Sequence, residues 1–271
     1  MSIHKRAYKH VVTTLAILAV FMFTGRTGAE QDDLRIATEA ITIGPGLWKD
    51  LSLSRSDWSG KEFRHLRVIG CDLTYAKFDG ANLARFFTSS SDLQNASFKK
   101  ANLGGAHFIN IDMSGASFAG ANLMAANLWV GFPGGVRVSR TDFSGVDFHK
   151  ADLRDLLGRA TSFKGAEMDY ADLRDSVLIG ADFSEAILAY TDFRGAFLGN
   201  CVFTNRSASN WMACKIEGAS VLGAKPQEFV DWALKKGANT MDLETWYEVT
   251  EARKAKEKME AQKSESSQLS P

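Results

Sequence analysis

The chain has 271 residues, of which 45% are hydrophobic and 24% charged, a composition typical of globular proteins. Its 32 basic and 32 acidic side chains balance, so the sequence lacks the basic excess of a nucleic-acid-binding protein and has no acidic excess. The length is sufficient for one or two domains with a buried core.

Residues 1–29 have the pattern of a secretory signal peptide. Basic residues precede an apolar run from Val11 to Phe23, and Thr27-Gly28-Ala29 forms a small-residue cleavage pattern. The run is shorter than the roughly 18 residues of a spanning helix, so we expect cleavage, with an uncleaved N-terminal anchor as the alternative. The sequence therefore predicts a periplasmic or otherwise secreted protein with no membrane span after cleavage.

Residues 30–50 follow this segment and show no repeat. Gly44-Pro45-Gly46 stands before Leu47 and Trp48. We interpret residues 30–50 as an irregular N-terminal cap over a repeat domain, and the alternative is a partner-binding arm.

A period of five residues dominates the chain from Leu53 to Phe203. Of the 31 positions in this frame, 28 are large and apolar, and the exceptions are Thr88, Pro133 and Gly158. The residue two positions earlier is usually alanine, and Asp or Asn often stands between the two. Because a period of five fits neither a helix nor a straight strand, the chain must turn at every unit. The large and small residues then point inward, and stability comes from stacked coils.

Units such as "CDLTYAKFDGANLAR", "ANLGGAHFIN", "ADLRD" and "ADFSE" resemble the A(D/N)LXX motif of the pentapeptide-repeat family. The resemblance extends from residue 51 to about residue 205. It implies an all-β solenoid, the right-handed quadrilateral β-helix, with four units in each coil. At a rise of roughly 4.8 Å per coil, about eight coils would form a rod about 37 Å long. We assign residues 51–224 to this domain.

The repeat is broken at "WVGFPGG", residues 129–135. Leu128 and Phe143 are still a whole number of units apart, so we expect one degenerate or looped-out side of a single coil. Trp129 and Phe132 are candidate partner contacts if they are exposed, and a tolerated kink is the other interpretation.

Residues 20 apart should stack, which brings like residues into columns on one side of the rod. We interpret these columns as alternating charge that keeps an exposed side soluble, and docking of a partner is the alternative. The two columns are Asp152, Asp172 and Asp192, and Arg154, Arg174 and Arg194.

The repeat slips out of frame after Phe203, which predicts a bulge over Thr204 to Lys215. Cys201 and Cys214 bracket it, either as two buried thiols or as a disulfide. Cys71 lies about six coils away from Cys201, too far for a bridge.

Two helices are predicted to cap the rod over residues 225–250. Pro226 and Gly237 bound the first, and the second starts near Asp242. Trp246 and Tyr247 on the second helix are candidate partner contacts. Residues 251–271 are polar on all sides, which predicts a solvated, fraying helix with a disordered end.

No constellation typical of an enzyme is present. His65, His107 and His149 occupy different positions of the repeat, so we expect no metal site and no cofactor, and no catalytic motif is found. The sequence favours an exported, non-enzymatic scaffold or protein-interaction module with a protein partner in the cell envelope and no small-molecule or nucleic-acid ligand. The resemblance also suggests an alternative, a mimic of duplex DNA that binds and protects DNA gyrase, but the signal peptide and the near-neutral charge disfavour it.

Overall fold

The computed structural model describes residues 46–128, 136–204, 211 and 213–268. They form a right-handed quadrilateral β-helix followed by helices, which confirms the predicted fold class. Six strands of three residues and two helices stand out from the short turns that make up the rest of the rod. They are β1 (Leu47–Lys49), β2 (Arg67–Ile69), β3 (Phe87–Ser89), β4 (His107–Ile109), β5 (Leu157–Arg159), β6 (Val177–Ile179), α1 (Gln227–Lys235) and α2 (Leu243–Gln268).

Every coil pairs in parallel with the next one. β1, β2, β3 and β4 form one sheet in that order, and β5 pairs with β6 in a second sheet. The column of partners that begins at Leu47 continues through residues 67, 87, 107, 127, 152, 172, 192 and 215. Six of these steps have twenty residues, one has 25 and one has 23, so the predicted count of about eight regular coils is too high. The rod also begins at β1, within the segment that we had assigned to the cap.

The 25-residue step contains one extra five-residue unit. Asp112 pairs with Arg137 instead of with residue 132, and the same offset follows on all sides of the rod. A whole unit preserves the alternation of inward and outward side chains, as the sequence predicted. It also shifts every later unit to the next side of the rod. Residues 20 apart therefore stack only where both come before the break or both come after it. Trp129, Phe132 and Pro133 lie outside the described residues.

The unit Ala171 to Asp175 shows how each pentapeptide turns. Ala171 and Leu173 are buried, Asp172 is half-buried between them, and Asp175 has φ near 60°. The Asp172 carboxylate accepts a hydrogen bond from the backbone N–H of Arg174. Among the described residues, Asp or Asn in twelve other units makes the same bond to the N–H two residues ahead. This local bond explains why the repeat prefers Asp or Asn at that position.

A ladder of stacked phenylalanine rings runs through the core. Neighbouring ring centroids are 4.8 to 5.4 Å apart along the rod. The members are Phe78, Phe98, Phe118, Phe143, Phe163, Phe183 and Phe203. Phe229 of α1 stacks on Phe203 at 3.8 Å and closes the C-terminal end, so the cap continues the core. Trp48, Trp58 and Phe63 pack together near the other end.

Two exceptions to the apolar frame, Thr88 and Gly158, still point inward and are buried. A β-carbon on Gly158 would lie 2.5 Å from Thr161 Oγ1 and 2.8 Å from a methyl group of Val138. The Thr161 hydroxyl donates a hydrogen bond to the Val138 carbonyl, so glycine leaves space for a second residue at this level.

Thr88→Val is expected to stabilise the rod by about 1 kcal/mol, because Thr88 Oγ1 is buried without a hydrogen-bond partner among the described residues. The matched control is Thr141→Val, since the Thr141 hydroxyl donates to the Met113 carbonyl at 2.9 Å and its loss should be destabilising. Urea unfolding of the two variants measures both effects. An equal loss of unfolding free energy in both would contradict the assignment of Thr88.

The two helices differ from each other in how they meet the rod. α1 buries Phe229, Val230 and Ala233 on the last coil, and Gly237 follows it with φ of 88°. α2 is one continuous helix to Gln268, where the sequence predicted fraying. No helix within the described part of the chain is long and apolar enough to cross a membrane.

Candidate functional site

The predicted charge columns form a ladder of paired side chains on one side of the rod. Each arginine lies two residues after its aspartate, so both side chains leave the same turn. Arg174 Nε and Nη2 donate to the two oxygens of Asp172 at 2.9 and 2.7 Å, and the pairs at 152/154 and 192/194 have the same geometry. Successive pairs also approach one another, with Arg174 Nε 3.9 Å from the Asp192 carboxylate. Because fork-shaped pairing uses both carboxylate oxygens, the ladder satisfies its own charges.

Asp192 is the most enclosed carboxylate of this charge ladder. Burial raises the pKa of Asp192. Hydrogen bonds from the Arg194 side chain and backbone, together with the charges of Arg194 and Lys215, lower this pKa by more than burial raises it. The net pKa of Asp192 therefore lies below the ordinary value for aspartate. Hydrogen bonding to Asp172 raises the pKa of Arg174 well above its usual value.

Asp192→Asn is expected to flatten the acid side of the stability profile. Because the folded-state pKa of Asp192 is depressed, its contribution is complete above the pKa of the unfolded aspartate, about 3.9, and is lost as the pH falls through the folded pKa. The unfolding free energy of the wild-type protein should thus fall more steeply than that of the variant below about pH 4. Urea unfolding between pH 2.5 and 6 measures this difference, and parallel profiles would contradict it.

Helix α2 turns back along the rod and is fastened to it at several levels. Trp246 is buried, its Nε1–H donates to the Gly195 carbonyl at 2.9 Å, and its ring packs on Phe197. About two turns further on, Arg253 pairs with Asp175, and Lys254 Nζ lies 2.7 Å from Asp155. These contacts occur at successively earlier coils, so α2 runs opposite to the growth of the rod.

The sequence predictions for α2 need two corrections. Trp246 was predicted to contact a partner, but its indole is enclosed between the helix and the rod because Phe197 and Val177 offer it an apolar surface. Residues 253 and 254 were placed in a solvated tail, but aspartates at the corners of the rod hold them. Tyr247 is 44% exposed and remains a candidate contact.

An open cleft of about 230 Å³ separates the start of α2 from the rod. Its floor is apolar, with Leu157 and Val177 from stacked strands and Tyr247 opposite them. Arg137 and Arg159 line it, and no acidic residue does so within the described part of the chain. The remaining lining residues are Ser139, Gly158, Ile179 and Leu243.

A second exposed feature lies at another corner of the rod. Tyr170 and Tyr190 are stacked with ring centroids 4.9 Å apart, each about half exposed, and His149 meets the Tyr170 ring edge-on. Both tyrosines have positive φ and stack because they occupy the same position of successive coils. The two phenol rings cover part of each other's faces by stacking.

The thiols do not form a reactive site. All three cysteines, Cys71, Cys201 and Cys214, are free thiols. Of the two alternatives for Cys201 and Cys214, the structure therefore has separate thiols and not a disulfide. Burial raises the pKa of Cys201 to about 12 and also raises the pKa of Cys71 and Cys214. Cys201 and Cys214 donate hydrogen bonds to the carbonyls of Leu178 and Leu188. Among the described residues, no group of three or more His, Cys, Asp or Glu could hold a metal ion.

The family of pentapeptide repeats matches this sequence in eight copies, over residues 91–129 and 159–205. The matched segments coincide with regular coils on both sides of the break. The matched segments therefore belong to the pentapeptide-repeat family. A comparison with curated proteins gives no significant match.

Solved pentapeptide-repeat structures are similar to this chain at low identity. Trypsin-treated QnrB1, a plasmid-mediated fluoroquinolone resistance protein, is 18% identical, with 71% of this chain and 89% of QnrB1 covered and a TM-score of 0.39. HetL from the cyanobacterium Nostoc, involved in the regulation of heterocyst differentiation, is 20% identical, with 73% and 92% covered and a TM-score of 0.25. A pentapeptide-repeat protein from the Arabidopsis thaliana thylakoid lumen is 20% identical, with 70% and 83% covered and a TM-score of 0.23.

Sequence reasoning placed the charge ladder correctly but did not find the cleft. Leu157 and Val177 occupy outward positions that are polar in most units, and this departure from the pentapeptide pattern was the available signal. Arg137 and Arg159 were not predicted to line the cleft, because its opposite wall is helix α2, whose position depends on contacts between distant parts of the chain.

Proposed function

We propose that this pentapeptide-repeat protein is an exported, non-enzymatic interaction module that binds a protein partner in the cell envelope. The observation that carries the proposal is the cleft between α2 and the rod, where Tyr247 and two arginines border an apolar floor. Tyrosine and arginine are among the residues that contribute most to binding at protein interfaces.

The rest of the described surface supports a binding role. The charge ladder pairs its own side chains, and the thiols are buried with raised pKa values, so neither supplies an activated nucleophile or base. A stacked rod is also rigid, and a rigid support loses little conformational entropy when a partner binds.

Affinity capture of the full tagged chain from intact cell envelopes tests the proposal. We expect one protein to be retained reproducibly and to retain the tagged chain in the reciprocal capture. Absence of any such protein would contradict the interaction role. Export is tested separately by fusing residues 1–45 to alkaline phosphatase, which is active only outside the cytoplasm, and by the mass of the mature N-terminus, expected to begin after Ala29.

DNA mimicry is the alternative, and the charge ladder argues against it on one side of the rod. A mimic needs unpaired negative charge spaced like phosphates, but Asp152, Asp172 and Asp192 each bind an arginine. Gyrase supercoiling assayed with a quinolone distinguishes the two functions. Protection of gyrase by this chain would replace the interaction proposal with the alternative.

A further inference from the structure

We infer that the cleft between α2 and the rod is a binding site for an acidic peptide segment that carries an apolar side chain. The inference rests on the proposed interaction function and assigns its site and the chemistry of its partner.

The charge of the cleft selects an acidic ligand. The guanidinium of Arg137 lies 4.0 Å from the Asp112 carboxylate, a long contact, and 65% of its side chain is exposed. Arg159 is exposed, and no described carboxylate lies within ion-pair distance of it. Two arginines that border one cleft without an acidic lining residue offer fork-shaped donors to carboxylates.

The floor of the cleft favours a ligand that has an apolar side chain between its carboxylates. Leu157 and Ile179 are half-buried and pack beside Val177, and Leu243 approaches them from α2. Val177 and Phe197 are buried in contact with Trp246, whereas Leu157 and Ile179 keep part of their surface open to the cleft. An apolar side chain in this position would remove the remaining apolar surface from water.

The size of the cleft favours a peptide over an independent small molecule. Its volume of about 230 Å³ is below the roughly 300 to 1,000 Å³ of sites that enclose drug-sized ligands. One or two side chains of a larger partner fit such a site, while the partner's own fold or backbone provides the remaining contacts.

The walls of the cleft are held in place before any ligand binds. The rod wall belongs to the parallel pair β5 and β6, with Leu157 opposite Val177. The α2 wall is held by Trp246, Arg253 and Lys254. A preformed site binds without a large ordering cost.

Fluorescence anisotropy with the full chain tests the inference. The probe is a labelled hexapeptide that alternates aspartate and leucine, and the control peptide alternates lysine and leucine. We expect the acidic peptide to bind at least tenfold more tightly and to weaken as salt is added. Binding should fall at least tenfold in the double variant Arg137→Glu/Arg159→Glu and should fall in Tyr247→Ala.

The control variant is Arg64→Glu/Arg85→Glu, which makes the same charge change on the side of the rod that carries Glu62 and Asn82. Both residues are exposed, and this variant should bind like the wild type. Circular dichroism checks that all variants are folded. Equal binding of both peptides, equal loss in both double variants, or no binding to the folded chain would each overturn the assignment. If a reciprocal envelope partner is still captured, only the cleft assignment fails and the interaction role stands.

Discussion

Phe163→Ala should lower the unfolding free energy of the rod by about 3–5 kcal/mol, because it removes a buried ring from the middle of the phenylalanine ladder. Phe163 lies between Phe143 and Phe183, with centroid distances of 5.4 and 4.9 Å. A coil cannot close over the gap without bending its hydrogen-bonded neighbours, so most of the cavity should persist. Equilibrium urea unfolding, followed by circular dichroism, measures the change.

The control for this prediction is Phe87→Ala, an aromatic residue on the outside of β3. Phe87 is only half-buried, and its described ring contact is with the Arg67 guanidinium at 5.2 Å. Its removal should cost no more than about 1 kcal/mol. Similar losses in the two variants would mean that the ladder has no special part in holding the coils together.

Trp246→Ala should release α2 from the rod, with an expected loss of about 3–5 kcal/mol of docking free energy. The indole is 3% exposed, and it provides both the apolar contact with Phe197 and the hydrogen bond to Gly195. Residues 255–260 are exposed, so this part of the helix adds few contacts that could retain it. Hydrogen exchange of residues 243–260 and tryptic cleavage after Lys256 should both accelerate strongly.

Tyr247→Ala is the matched control, since Tyr247 is the next residue of the same helix but is 44% exposed. Its exchange and cleavage rates should stay close to those of the wild type. Protection of α2 that survives Trp246→Ala would contradict the principal role of Trp246 in holding the helix. The ion pairs of Arg253 with Asp175 and of Lys254 with Asp155 would then be sufficient to hold it.

The repeat was predictable because the sequence of each five-residue unit shows which of its side chains point inward. Ala171 and Leu173 are buried as the five-residue frame requires, and Pro226 and Gly237 bound α1 as expected. The spacing of Leu128 and Phe143 also predicted that the five-residue frame survives the break, but it predicted a degenerate side of one coil and not the extra unit that the pairing of Asp112 with Arg137 shows. Such features depend on neighbouring residues and on stacking with a fixed step.

The docking of α2 was not predictable in the same way, because it depends on contacts between distant parts of the chain. The sequence of α2 is polar on all sides beyond Val249, and nothing local shows that Arg253 meets Asp175 or that Lys254 meets Asp155. The partners become visible only when the 23-residue step from Asp192 to Lys215 and the course of the chain after it fix where α2 begins. The cleft was missed for the same reason, since one of its walls belongs to the rod and the other to helix α2.

Site-specific photocross-linking in intact cells tests whether the cleft binds a protein partner. A benzophenone amino acid is placed at Ser139, which lines the cleft, and separately at Ser162, which lies on the adjacent side of the rod. We expect a discrete protein adduct from position 139 that disappears with Arg137→Glu/Arg159→Glu, and no such adduct from position 162. An adduct only from position 162, or none from either position in a correctly exported protein, would contradict it.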